Sequence, residues 1–138
     1  MWWIYALLSA VFAALVAVFA KIGIKGVDSD LATAIRTVVI IFIAWGIVIA
    51  KGATKAIPGL TKQNWLFLML SGCATGISWL FYFRALSLGQ VSKVAPIDKL
   101  SVALAIVISI IFLHEKLTWQ EGVGAALIVS GTLLLIFK

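Results

Sequence analysis

Apolar side chains along this chain run in long blocks rather than in alternation. Five blocks stand out, at residues 1–20, 31–50, 65–83, 91–113 and 119–137, separated by short polar links rich in Lys, Gly and Asp. A bilayer-crossing helix takes roughly 20 residues, and a barrel strand would alternate instead. The pattern therefore predicts an all-α membrane protein with five transmembrane helices, at about 2–20, 31–50, 65–83, 94–113 and 119–137, in one domain over 1–138. The link 21–30 carries Gly23 and Gly26 and ends in Asp28, Ser29 and Asp30, an N-cap cluster for the second helix. The link 51–64 holds Gly52, Pro58 and Gly59, with Asn64 placed to cap the third helix. The links 86–90 and 114–118 are tight. No Lys or Arg precedes the first apolar block, as it would in a signal peptide, so this block is read as a retained helix.

Composition agrees. The chain is 64% apolar and 12% charged, with a mean hydropathy of +1.19. A soluble domain is about half apolar and a quarter charged, so there is too little polar surface here for an ordinary soluble enzyme. A net charge of +6 would suggest nucleic acid in a soluble protein. In a membrane protein it is loop charge at an interface, and no nucleic-acid partner is expected. Cys73 is the single cysteine and lies inside an apolar block, so neither a disulfide nor a thiolate metal cluster is expected. One His and five acidic residues offer no metal motif and imply no cofactor, and His114 beside Glu115 reads as a solvated link residue. Trp2, Trp3, Trp65 and Trp119 all sit where odd-numbered helices begin, as interfacial indoles would on one membrane face.

Charge sidedness bears on orientation. The side of the N-terminus holds four cations, Lys51, Lys55, Lys62 and Lys116, and the other side five, Lys21, Lys25, Arg84, Lys93 and Lys138. Arg36 and Lys99 could snorkel to the second side and make seven. The positive-inside rule then prefers an inward C-terminus only slightly, so both orientations are expected.

Small residues mark faces where membrane helices approach closely. Gly72 and Gly76 form a GxxxG pair, and Gly122, Ala126 and Ser130 repeat every four residues. Ala6, Ala10 and Ala14 do the same in the first block, and Ser101, Ala105 and Ser109 in the fourth. Each stripe packs either within the chain or at a subunit seam. Arg36, Arg84, Asp98 and Lys99 lie within or at the margin of apolar spans, where charges face a cavity or a partner. Arg36 or Arg84 is expected to meet Asp98. Asp98 and Lys99 are adjacent, share no helix face and are expected to point to different environments. Pro96 fits an early helical position or a break in a longer helix, and broken helices beside ionisable groups line transporter sites. Ser78 and Ser101 complete the candidate cavity set.

The stretch from Arg84 to Ile97 reads Arg-Ala-Leu-Ser-Leu-Gly-Gln-Val-Ser-Lys-Val-Ala-Pro-Ile. An apolar helix follows, then Glu115, then Gly122, Gly124 and Gly131 in an apolar helix. With these residues the chain resembles an EamA domain, the repeat unit of the drug/metabolite transporter superfamily. It departs from the pattern in the charged pair Asp98–Lys99 and in His114, often a glycine. The resemblance implies one five-helix repeat of a fold that in longer members holds two, inverted about a substrate cavity. It implies export of small molecules, and an enzyme is not expected because no paired carboxylates, nucleophile–base set or metal motif appears.

The functional expectation is a secondary transporter in a prokaryotic cytoplasmic membrane that exports small amphipathic metabolites. Its partners would be its substrate, membrane lipid and a second copy, antiparallel to the first, and it would work by alternating access. An accessory membrane subunit, or one half of a heterodimeric transporter, is the alternative. A four-helix multidrug pump fits less well, because the first block has no Glu.

Overall fold

The structure, a computed structural model, describes residues 1–136. Phe137, the expected end of the fifth span, and Lys138, counted in the charge balance, lie outside the described residues. The helices are α1 (Trp2–Gly23), α2 (Ser29–Ala50), α3 (Lys62–Leu88), α4 (Val91–Asp98), α5 (Leu100–Leu113) and α6 (Trp119–Ile136), with a 3-10 turn at Ala53–Gly59. No strand occurs among the described residues. Taking α4 and α5 as one span, five helices among the described residues are long and apolar enough to cross a membrane.

Local chemistry sets the ends of these helices. Asp28 caps α2, its side chain accepting from the N–H groups of Asp30 and Leu31 at 3.0 Å. α3 starts earlier than expected, because Thr61 rather than Asn64 is its cap: Thr61 Oγ1 accepts from the Asn64 N–H at 3.1 Å. α6 opens with a capping box in which Thr118 N–H donates to Glu121 Oε2 at 2.8 Å and Glu121 N–H reaches Thr118 Oγ1 at 3.4 Å. α5 ends at His114, which adopts φ 54° and ψ 31°, the left-handed conformation that favours glycine. His114→Gly is expected to raise stability in detergent by about 1 kcal/mol, since a left-handed non-glycine residue costs roughly that much. Thermal unfolding checks it, and a lower midpoint would mean the imidazole holds the link.

The fourth span is divided. α4 and α5 are separated by the single residue Lys99, whose N–H reaches Pro96 O at 3.0 Å and Ala95 O at 3.3 Å. Of the two expectations for Pro96, an early helical position or a break in a longer helix, the structure shows two helices that meet at Lys99, just after the proline. The Lys99 N–H bonds back to both the Ala95 and Pro96 carbonyls, so the turn tightens there toward 3-10 geometry.

Contacts group the chain into two compact units, residues 1–18 with 88 onward, and Phe19–Ser87. In the first, α4, α5 and α6 pack together. The buried Thr132 of α6 lies with its hydroxyl 2.8 Å from Ile128 O and 3.2 Å from Pro96 O, tying α6 to the proline turn of α4. In the second, Lys21 Nζ donates to Leu86 O at 2.6 Å, so the end of α1 meets the end of α3. A cation there satisfies one of the orphan carbonyls of a helix C-terminus and suits its dipole. Phe83 and Leu86 are the largest fully buried side chains.

Candidate functional site

Arg36 lies seven residues inside α2, roughly 10 Å along its axis at 1.5 Å per residue. Its guanidinium carbon is 4.8 Å from the Trp79 ring centre and 4.5 Å from that of Phe83. These two rings stand four residues apart on α3 and form one face of it. Aromatic faces attract a guanidinium through their quadrupole, more strongly when water is excluded. Tyr82 stacks edge-to-face on Phe83 at 6.1 Å and 71°. No ion pair to Arg36 within 4.0 Å occurs among the described residues, so the rings hold it. On the same helix Thr33 Oγ1 donates to Ser29 O at 2.9 Å and Thr37 Oγ1 to Thr33 O at 2.8 Å. These hydroxyl protons serve the helix itself, which leaves the oxygens as acceptors.

The first unit holds the other cluster. Asp98 closes α4, and its carboxylate pairs with Lys99 Nζ at 3.5 Å. This corrects the expectation that the two side chains face different environments. At the junction the chain leaves regular helical spacing, and the long Lys99 side chain reaches back to its neighbour. Pro96 is half-buried on the same turn, and Ser101 is exposed in the first turn of α5. Arg36 and Asp98 belong to different units, so their pairing stays an expectation. Arg84, exposed near the end of α3, lines a cavity of about 350 Å³ with Asp30, Ile77, Leu80 and Phe81. Ser78 is exposed on α3.

The small-residue stripes behave differently from one another. A Cβ added at Gly72 or Gly76 would meet nothing within 4 Å among the described residues. Within its own unit this pair makes no close contact, and of the two expectations the in-chain one gains no support from it. Arg36, Trp79 and Phe83 are long side chains that meet between α2 and α3, so small residues are not what joins these two helices. Gly122 is in ordinary contact with Leu117, 3.6 Å from an added Cβ, while Ala126 and Ser130 are exposed.

Sequence reasoning missed Trp79, Phe83, Thr132 and Asp30. The aromatic pair carried a readable signal, an i, i+4 spacing within one apolar block at the depth of an embedded Arg. Thr132 carried none, because one hydroxyl in an apolar block looks the same whether it faces lipid or a carbonyl.

The EamA-like transporter family matches residues 1–137. The chain belongs to that family. Among its relatives is an uncharacterized transporter from the cobO 3′ region of a Sinorhizobium species, 52% identical over 97% of this chain and 95% of its own. An uncharacterized transporter of Bacillus subtilis, YvbV, is 38% identical over 51% of this chain, a match spanning 23% of YvbV. An uncharacterized protein of Methanocaldococcus jannaschii is 34% identical over 55% of this chain and 56% of its own length. No solved structure matches the chain. This EamA-family member is an integral membrane protein of the transporter class, and the arginine cradle and the divided fourth span lie within its matched region.

Proposed function

We propose that this EamA-family chain is a secondary transporter of a prokaryotic cytoplasmic membrane that exports small amphipathic metabolites. It does so as an antiparallel homodimer that alternates access between the two sides. The observation that carries this reading is the fourth span, broken at Lys99 with Asp98 and Lys99 at the break. Discontinuous helices commonly build transport sites. Arg36 on its aromatic cradle is a second charge at membrane depth, and such charges mark substrate or ion pathways. A relative matched along 95% of its own length supports a working unit assembled from single repeats. The open faces at Gly72 and Gly76 suit a seam between copies, where absent side chains let backbones approach.

The test is flux. Purified protein in liposomes is expected to move one or more members of a panel of amphipathic metabolites, with a pH or ion gradient driving it. A folded dimer that moves none of them, with or without a gradient, would sink the proposal.

A further inference from the structure

The cavity beside Arg84 has a composition that the transport reading does not use. Ile77, Leu80, Phe81 and Arg84 stand at i, i+3, i+4 and i+7, a single stripe along α3, and Asp30 completes the lining from the first turn of α2. Trp79 and Phe83, which hold Arg36, lie on another face of α3, so this groove is separate from the arginine cradle.

Polarity is graded along the groove. Arg84 sits one turn from the end of α3, and Asp30 sits at the start of α2, so both charges are at one membrane interface. Ile77 lies seven residues deeper on α3, about 10 Å at the helical rise. Phe81 is 73% and Ile77 55% exposed, on a helix that crosses the membrane, where acyl chains would meet them.

The two charges share the cavity without joining. No ion pair links Asp30 and Arg84 within 4.0 Å among the described residues. Asp30 Oδ1 receives only a long 3.5 Å contact from Ser29 Oγ, and no acceptor for the Arg84 guanidinium occurs among the described residues. A purely anionic occupant would suit Arg84 and be repelled by Asp30, and a purely cationic one would meet the reverse. An occupant carrying both charges on an apolar tail suits the whole lining.

We propose that this groove is a binding site for a zwitterionic ethanolamine phospholipid. Its phosphate is held by the Arg84 fork, the geometry that guanidinium offers to phosphate oxygens. Its ammonium donates to the Asp30 carboxylate, and its acyl chain lies along Leu80, Phe81 and Ile77. Ethanolamine is selected over choline because its nitrogen carries N–H donors, whereas a trimethylated nitrogen donates nothing.

Native mass spectrometry of the full chain from detergent tests this, with phosphatidylethanolamine, phosphatidylcholine and phosphatidylglycerol of identical acyl chains. Wild type is expected to retain the ethanolamine lipid roughly fivefold better than either other lipid, the scale of one partly exposed charged contact. Asp30→Asn is expected to erase that preference and leave phosphatidylglycerol binding equal or higher. Arg84→Gln is expected to weaken all three, and circular dichroism establishes that both variants keep their helices. Equal retention of the three lipids by wild type overturns the proposal, as does an ethanolamine preference that survives in Asp30→Asn. Displacement of the lipid by millimolar leucine would also overturn it, assigning the groove to a water-soluble zwitterion. None of these outcomes depends on flux, so this proposal and the transport reading stand or fall separately.

Discussion

Asp98→Asn is expected to lower flux at least about tenfold, equivalent to roughly 1.4 kcal/mol in the barrier, while insertion and yield stay near wild type. An ionised side chain costs up to roughly 2.5–3.5 kcal/mol at the centre of a membrane helix, and Asp98 lies seven residues into the fourth span, Val91–Leu113. The one ion pair Asp98 makes among the described residues is with Lys99, at 3.5 Å, with the two side chains 37% and 56% exposed. At 3.5 Å and partly exposed, this one pair does not bury the carboxylate in a hydrogen-bonded network. On the proposed transport reading, the Asp98 carboxylate at the helix junction serves the transport cycle rather than folding. Asparagine preserves the shape and removes the charge, so a folding role and a charge role separate. Arg36→Gln is expected to lower flux as well, and the double variant should fall no further than the worse single one if the two charges act on one step. Lys99→Gln is expected to matter less, because its ammonium is the more exposed partner. Wild-type flux in Asp98→Asn liposomes would end the claim.

C-terminal reporter fusions are expected to show activity on both sides of the membrane. Four cations on the N-terminal side face five on the other, or seven with Arg36 and Lys99. The Arg36 guanidinium lies over Trp79 and Phe83, so it is expected to count less toward the second side. The bias is then smaller still. Orientation follows such differences in short loops, so two or three added charges decide it. Lysines added near Trp2 should lock the N-terminus inside, and lysines added beyond Lys138 should lock the C-terminus inside. Each locked variant alone is expected to lose transport, and co-expression of the two to restore it, because an inverted pair needs both orientations. Transport by a single locked variant would overturn the antiparallel homodimer and direct attention to a parallel dimer or a different partner.

Much of this protein was legible in its sequence because lipid imposes a simple rule. Every backbone polar group in the hydrocarbon must be satisfied within a helix, so apolar length alone located the five spans. The resemblance from Arg84 to Gly131 likewise identified the family without any coordinates, since it rests on residue types at fixed spacings. Helix ends were readable where a cap is a local matter, as at Asp28, and misread where two polar residues competed, as at Thr61 and Asn64. Pairings across the chain were not readable. Lipid is as apolar as leucine, so hydrophobic periodicity does not say which face of a membrane helix meets another. Only the tertiary structure set Arg36 against Trp79 and Phe83, tied Thr132 to the Pro96 carbonyl, and brought Asp30 beside Arg84 around an apolar groove. Each joins residues at least 36 positions apart, and contact over such separations is decided by how the helices pack, which no local pattern records.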